Sequence, residues 1–595
     1  MCGILNVVSK SGKPLNPSVC RRALSKLSWR GPDYITSEMR NEGRLFLGQS
    51  ILSITGNIED SRGAHLRSAS GRYRLNYNGE IYNYHELETE LCRLKGSTYS
   101  NEFNSDSQVL IDLHDFYDIG DIPTKLDGMY AYSVWDETEQ KLSFTRDLGG
   151  EKSIYFYEDD AVIIASSSIS AILTFKPDLR IDRQLLKDYF RTRHFMFFER
   201  TLYDSVVQIP PGCTRQLDLE TFDWHEVDTQ SIGSLISPER MDELSRRSDD
   251  QLVDELDDLL SRNLEQMIPD RTFASVVSGG IDSSLISRYT TKYGDPKILV
   301  AVDHIGKDYI SQDLKGFEDV LKQDIHVIRL DLTSYAAEIE RCQNSLGSPL
   351  LSHSFVGQSI QSSYVQAKGC RVLFGGDGAD ELFGGYACYL TQRQMNTIYN
   401  PSFYTGHNEP EITFLSDDAS TIQRDLSNAW KHSLDAYQFM DDPEERLVQS
   451  MMYGDFAYQL SSVGLRGTDF MSMMWSVETR SVFLRRGIIE FGLNLPVRMK
   501  VDPTHANPLM RSKPILKSVF LKHFPEELLV AKQGFAGFPN ESRKFLSDLE
   551  DFLGIDYLDI DRSSIAHRPL SREAEWKLIN IEYFLRQAGI ELLES

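Results

Sequence analysis

The stretch FASVVSGGIDSSLISRYTTKY, residues 273–293, passes from an apolar run through a glycine turn into chain of helical character. The same order returns around KILVAV at 297–302, DIHVIRL at 324–330 and CRVLFGG at 370–376. Apolar strands alternating with helices predict a doubly wound, parallel α/β sheet. Ligands of such sheets sit beyond the carboxyl ends of the strands, which is where the turn Ser278-Gly279-Gly280-Ile281-Asp282-Ser283-Ser284 falls. Its glycines let the backbone approach an anion, its hydroxyls and amides can donate, and the start of a helix adds favourable potential. The turn therefore reads as a phosphate cradle. No lysine follows as in the G-x-x-x-x-G-K-[ST] loop, and Asp282 would repel phosphate unless a cation lay between, for which magnesium is the natural choice. A second turn, Gly375-Gly376-Asp377-Gly378-Ala379-Asp380-Glu381, places three carboxylates in five residues after CRVLF. Carboxylates so crowded favour a cation, and Asp380 is the expected second magnesium ligand.

Upstream the pattern changes. ILNVV, RLFLGQ, RYRLNYN, MYAYSVW, KLSFT, SIYFY and AVIIAS are β-rich runs, and SVCRRALSKLSWR and DSQVLIDLHDFY between them carry helical spacing. An α+β unit of stacked antiparallel sheets with helices outside is expected. After Pro210-Pro211-Gly212 the chain from Thr221 to Asp250 is polar, acidic and Ser-rich, as a connection would be. The expected division is a first domain at 2–215, a linker at 216–248 and a second domain at 249–595. QLVDELDDLLSRNLEQM then sets Leu252, Val253, Leu256, Leu259, Leu260, Leu264 and Met267 on one helical face, a core spacing.

The whole chain, at 595 residues, is too long for one core. A net charge of −25 argues against a nucleic-acid partner, which needs a concentrated basic surface. No apolar run approaches the roughly 20 residues that span a bilayer, and no basic segment precedes an apolar one at the N-terminus, so no membrane partner and a cytoplasmic address are expected. Seven scattered cysteines without a C-x-x-C pair and thirteen histidines without ligand spacing point neither to disulfides nor to zinc.

Cys2 follows the initiator methionine directly. Removal of Met1 would leave an α-amine and a thiol on one backbone unit, a self-contained base and nucleophile. The plain alternative is a small buried hydrophobe opening a strand. Further along come Cys2-Gly3-Ile4, Arg30-Gly31-Pro32-Asp33, Asn78-Gly79-Glu80-Ile81-Tyr82-Asn83, Ser105-Asp106, Leu126-Asp127-Gly128-Met129, Arg146-Asp147 with Gly150-Glu151-Lys152, Pro210-Pro211-Gly212, SGGIDSS and GGDGADELFGGY. In that order these motifs resemble the class B, glutamine-dependent asparagine synthetases over most of the chain. The resemblance implies an N-terminal-nucleophile glutaminase joined by an ammonia tunnel to a pyrophosphatase-type synthetase that uses ATP and Mg2+. By this likeness Cys2 attacks the side-chain amide of glutamine, Asn78 and Gly79 supply the oxyanion hole, and Glu80 and Asp106 hold the amino group, roles that suit amide donors and carboxylates. In the second domain Ser278, Gly279, Gly280, Asp282, Ser283, Ser284, Gly375 and Gly376 would bind ATP and pyrophosphate. Asp282 and Asp380 would hold magnesium, Lys513 of SKPILK would neutralise phosphate charge, and Asp377 would act near the reacting nitrogen or substrate. Alone, Lys513 reads as a solvated helix lysine and Asp377 as a turn-stabilising aspartate.

The likeness has departures. Where the family carries an arginine for the α-carboxylate of glutamine, this chain has Ile51, which cannot form a charge-assisted pair. Arg62, Arg67 or another cation substitutes, or the donor is not ordinary glutamine, or the glutaminase is weak. Gly347-Ser348-Pro349, Gly375, VAVDHIG at 300–306 and Asp469-Phe470-Met471-Ser472-Met473 also differ from the usual family residues, in regions expected near ATP or the acceptor. The expected reaction converts a carboxylate to a carboxamide through an acyl-adenylate, with L-aspartate to L-asparagine as the default. Another carboxylate in a specialised biosynthetic pathway is the first alternative. A glutamine-independent cyclase resembling the β-lactam synthetases and a catalytically silent binding protein follow. The partners expected are small molecules, glutamine and the acceptor, with a possible homodimer.

Overall fold

The computed structural model describes residues 2–595 except 56–65, 96–98, 100–104, 193–198, 228–229, 304–313, 331, 391–420, 531–553, 556–557, 559–571 and 588–595. Eleven strands build the first unit: β1 Cys2–Ser9, β2 Tyr34–Arg40, β3 Leu45–Ile51, β4 Tyr73–Ile81, β5 Gly128–Asp136, β6 Lys141–Arg146, β7 Tyr155–Glu158, β8 Val162–Ser166, β9 Val206–Gln208, β10 Thr214–Asp218 and β11 Trp224–Val227. They form two antiparallel sheets, ordered β2-β3-β1-β8-β7-β9 and β11-β10-β6-β5-β4. β1 is buried throughout because its two faces meet different partners. Ile4 and Val8 join Leu47, Trp135, Phe144 and Phe156 between the sheets, and Leu5 and Val7 point the other way, onto Cys20, Ala23 and Leu24 of the helix Pro17–Ser25. A strand buried on both faces has no polar alternation to show, and the one polar residue of ILNVV, Asn6, is buried with its Nδ2 donating to Ser133 Oγ at 2.8 Å.

Two local expectations are corrected. Helical spacing through Arg30 stops at Ser25, because Gly31 must lie flat against β3: a Cβ there would meet the Ile51 nitrogen at 2.3 Å. The tight turns of Leu27, Ser28 and Arg30 then carry Arg30 inward. The first unit also continues past residue 215: β10 pairs with β6 and β11 with β10, so its sheet ends at Val227, inside the expected linker.

The second unit is the expected parallel sheet, built from β12 Phe273–Val276, β13 Ile298–Asp303, β14 Ile325–Arg329, β15 Val372–Gly375 and β16 Glu478–Ser481 in the order β14-β13-β12-β15-β16. The helix Asp249–Met267 packs beside it through the predicted apolar face, with Leu259 only partly buried. Strand order reverses between β12 and β15, so the SGGIDSS and GGDGADE turns emerge side by side at the switch point. β16 was not expected, since ETRS has no apolar alternation. No helix among the described residues is long and apolar enough to cross a membrane.

Buried charge joins the two units. Arg30 Nη2 donates to both carboxylate oxygens of Asp469, at 2.9 and 2.7 Å, and Lys152 Nζ reaches Asp469 Oδ1 at 2.9 Å. Burial alone would push the Asp469 carboxyl up, but Arg30 and Lys152 outweigh it and hold it below its usual range. Arg371 clasps Asp33 at 2.6 and 3.0 Å, and Arg485 Nη2 donates to Asp127 Oδ2 at 2.7 Å.

Candidate functional site

The first half of the site is assembled on β1, β3 and β4. Cys2 is 6% exposed, and its backbone N–H donates to Asn78 Oδ1 at 3.0 Å. Arg30 Nε holds the Cys2 carbonyl at 3.2 Å. Asn78 Nδ2 is buried with no hydrogen-bond partner among the described residues, leaving an unspent donor beside Cys2, as an oxyanion hole requires. Gly79 lets β4 and β5 close together, since a Cβ there would stand 2.3 Å from the Met129 oxygen.

Two residues along, Glu80 is buried and accepts from the Thr55 hydroxyl. Asp106, which opens the helix Asp106–Leu113, accepts from the Tyr77 hydroxyl at 2.6 Å and from Ile81 N–H at 3.0 Å. Burial first, and Asp106 next, push the Glu80 carboxyl up to about 8; burial also raises Asp106. Burial raises both carboxyls, and an ammonium group entering between them would favour their charged forms. Below about 8 the protonated fraction of Glu80 grows and its attraction for a cation weakens. The KM for glutamine is therefore expected to fall as pH rises toward 8, by at most about tenfold per pH unit. Glutamate release measured across that range checks this, and Glu80→Gln should flatten the profile.

Ile51 lies directly across from Cys2 in the β1–β3 pairing. Arg67 is exposed and pairs through its backbone with Arg74, while Arg62 lies outside the described residues. A cation of the second unit reaches the pocket: Arg480 Nη2 is 3.4 Å from Glu80 Oε1, and its guanidinium stands 5.3 Å over the Tyr82 ring. Arg480 Nε is held by Glu478 Oε1 at 2.6 Å. Sequence reasoning missed both residues. The available signal was an oppositely charged pair, two positions apart, set between the apolar runs FMSMMWSV and VFL.

The second half sits at the switch point. Ser278 N–H donates to Ser283 Oγ at 3.1 Å, Gly280 N–H to Ser278 Oγ at 3.3 Å and Ser284 Oγ to the Gly280 oxygen at 2.8 Å. Gly279 takes φ +78°, a conformation that favours glycine. Gly375 ends β15, and Gly376 lies against Asp282, where a Cβ would be 3.3 Å from the Asp282 Cβ. Lys513, at the start of the helix Pro514–His523, bridges the two turns: its Nζ is 2.6 Å from Asp282 Oδ2 and 2.5 Å from Asp380 Oδ1. It is thus no solvated lysine. Burial would lower its pKa, but the two carboxylates hold it above its usual value. Gly385 makes room for this bridge, because a Cβ there would stand 1.7 Å from Asp380 Oδ1 and 2.4 Å from Lys513 Cε. Two hard carboxylates converging on one point, where Lys513 Nζ now stands, are donors of the kind magnesium takes. Burial pushes the Asp377 carboxyl up to about 6, against a 3.3 Å hydrogen bond from Thr468; the Asp377 carbonyl accepts from the Ser481 hydroxyl at 2.6 Å.

Residues 1–226 match the glutamine amidotransferase domain family and residues 255–562 the asparagine synthase family. Asparagine synthetase (glutamine-hydrolyzing) 3 of Bacillus subtilis is 25% identical over 578 residues, covering 90% of this chain and 86% of that protein. Asparagine synthetase (glutamine-hydrolyzing) 1 of the same organism is 26% identical over 601 residues, covering 92% and 88%. Amidase chry2 of Gibberella zeae is 24% identical over 421 residues, covering 65% of this chain and 60% of that protein.

Proposed function

Because the chain belongs to the asparagine synthase family and carries a glutamine amidotransferase domain, we propose that it transfers the amide nitrogen of glutamine to a carboxylate activated as its acyl-adenylate, with L-aspartate as default acceptor and L-asparagine as product. The observation that carries this reading is the pair of half-sites in one chain: Cys2 with Asn78, Glu80 and Asp106, and Lys513 drawn between Asp282 and Asp380 where two glycine turns meet.

Cys2 attacks the glutamine amide, ammonia leaves as the thioester forms and water then releases glutamate, while Asn78 Nδ2 and the Gly79 N–H receive the developing oxyanion. Glu80 and Asp106 take the amino group. Arg480, facing Glu80 across the unit boundary, is the cation assigned here to the α-carboxylate in place of the arginine that Ile51 replaces. In the second half, the SGGIDSS amides and hydroxyls cradle the phosphates of ATP and Lys513 neutralises their charge. Magnesium on Asp282 and Asp380 would offset phosphate charge as pyrophosphate leaves. Ammonia then displaces AMP from the acyl group beside Asp377.

A second reading keeps this chemistry and changes the acceptor. It is favoured by Gly347-Ser348-Pro349 and Gly375 standing where the resembling family has other residues. One experiment separates the two: AMP and pyrophosphate release with ATP, magnesium and aspartate, with glutamine or ammonium as nitrogen source, and mass detection of asparagine. Asparagine from both sources supports the default acceptor. No turnover with aspartate under either source sinks it and turns attention to other carboxylates.

A further inference from the structure

β13 overruns its neighbour. Val300 pairs with Val276, where β12 ends, and β13 runs on to Asp303, so its last residue stands roughly 10 Å further along at the rise of a strand. Asp303 thus reaches past the carboxyl edge of β12, one strand to the side of the SGGIDSS turn. It belongs to VAVDHIG, where the chain departs from the resembling family, and it has no part in the chemistry proposed so far.

Its side chain carries a free acceptor. Asp303 is 6% exposed, and its Oδ1 is buried with no hydrogen-bond partner among the described residues. Arg329 Nε approaches Oδ2 at 3.9 Å, but that side chain is 74% exposed, so water screens the pair. Leu299 and Ala301 pack with Leu285 and Ile286 of the helix Ile281–Tyr293 and with Leu314, whereas Ile298 and Val300 pack the other way, with Val365 and Cys370. Alternate residues of a strand share a face, so Asp303 lies on the side of the helix whose first turn is the phosphate cradle. A Cβ on Gly279 of that turn would stand 3.9 Å from Leu314. A buried acceptor without a donor costs free energy, and this one is held at the edge of the sheet where ligands sit.

We propose that Asp303 accepts hydrogen bonds from the ribose hydroxyls of the nucleotide whose phosphates lie in the SGGIDSS turn. A carboxylate repels phosphate, so beside the cradle it suits an uncharged part of the nucleotide that donates. Adjacent strands are about 4.8 Å apart, comparable with the reach from a phosphate to its own sugar, and the base lies beyond. In dinucleotide-binding sheets an acid that follows the glycine turn by about twenty residues holds the ribose in this way. The assignment rests on the ATP-dependent reading above.

The test is titration calorimetry of the full chain with magnesium and ATP, 2′-deoxy-ATP, 3′-deoxy-ATP or ITP, on the wild type, Asp303→Ala and Asp303→Asn. In the wild type, removing a hydroxyl that Asp303 accepts should weaken binding about tenfold, the scale of a charge-assisted hydrogen bond. D303A should weaken ATP by a similar factor and hold ATP and that deoxy analogue equally, since the partner is gone. A wild type indifferent to both hydroxyls, or a deoxy penalty that survives in D303A, overturns the proposal. So does a D303A variant that loses the preference for ATP over ITP instead, which would assign Asp303 to the base. D303A should melt no lower than the wild type without nucleotide, and ATP should stabilise it less. D303N keeps the side-chain shape and loses the charge, so it should shrink the deoxy penalty even if D303A does not fold; an unaltered penalty in D303N also overturns the proposal. Binding needs no turnover. ATP held through Asp303 without AMP release would sink the proposed function alone, ATP bound without dependence on Asp303 would sink this assignment alone, and no binding of ATP would sink both.

Discussion

Cys2→Ala is expected to cut glutamine-driven amide formation by about 10³-fold or more, as loss of a nucleophile does, while the ammonium-driven reaction continues. The groups that would grip glutamine are separate from the thiol. Glu80 and Asp106 lie on β4 and on the helix Asp106–Leu113, and Asn78 Nδ2 stays available as a donor. The variant should therefore bind glutamine and fail at the covalent step, losing kcat rather than gaining KM. The second half-site uses none of these side chains, since its turns emerge from β12 and β15. Product mass with each nitrogen source gives the readout. Equal loss with glutamine and with ammonium would show that Cys2 supports the fold rather than the chemistry.

Lys513→Met is expected to reduce turnover with either nitrogen source by about 10²-fold or more, the scale of removing one electrostatic contact from a developing charge. It should also destabilise the chain. The lysine side chain is 4% exposed, and Asp282 and Asp380 are each 24% exposed and aimed at its Nζ. Removing the cation leaves two carboxylates facing one another, a loss of about 3 kcal/mol for a buried pair deprived of one partner. Magnesium held by the same oxygens, as proposed, should raise the melting temperature of K513M more than that of the wild type. Thermal melts with magnesium and with a chelator check this. A variant that melts like the wild type in both would remove the bridge from the account.

The parts of this architecture legible in the sequence are those whose signal is local. The apolar runs that became β1, β4, β5, β12, β13 and β15 announce themselves by residue type, and the two glycine turns by what glycine permits. The hidden parts depend on partners far away along the chain. Arg30 reads as one residue of an RGPD motif, yet its guanidinium is bound 439 positions away at Asp469. Asp33, Asp127 and Lys152 likewise spend their charges on the second unit. Spacing cannot reveal such pairs. β16 escaped notice because ETRS is a buried strand made of polar residues: Glu478 is fully buried and Arg480 is 2% exposed, each neutralising the other, so burial leaves no trace of apolarity. The end of the helix at Ser25 was lost for a related reason, since what halts it is the close approach of Gly31 to β3.

β16 is only four residues long, and in a strand neighbouring side chains point to opposite sides. Glu478 and Arg480 turn toward Glu80 of the first unit, while Thr479 and Ser481 turn toward Asp377 of the second. Gaining or losing one residue inside this segment would exchange the two sets and spoil both pockets together. Descendants of this gene can therefore retune either pocket by replacing single letters here, but length changes are barred from positions 478–481 and must accumulate elsewhere in the chain.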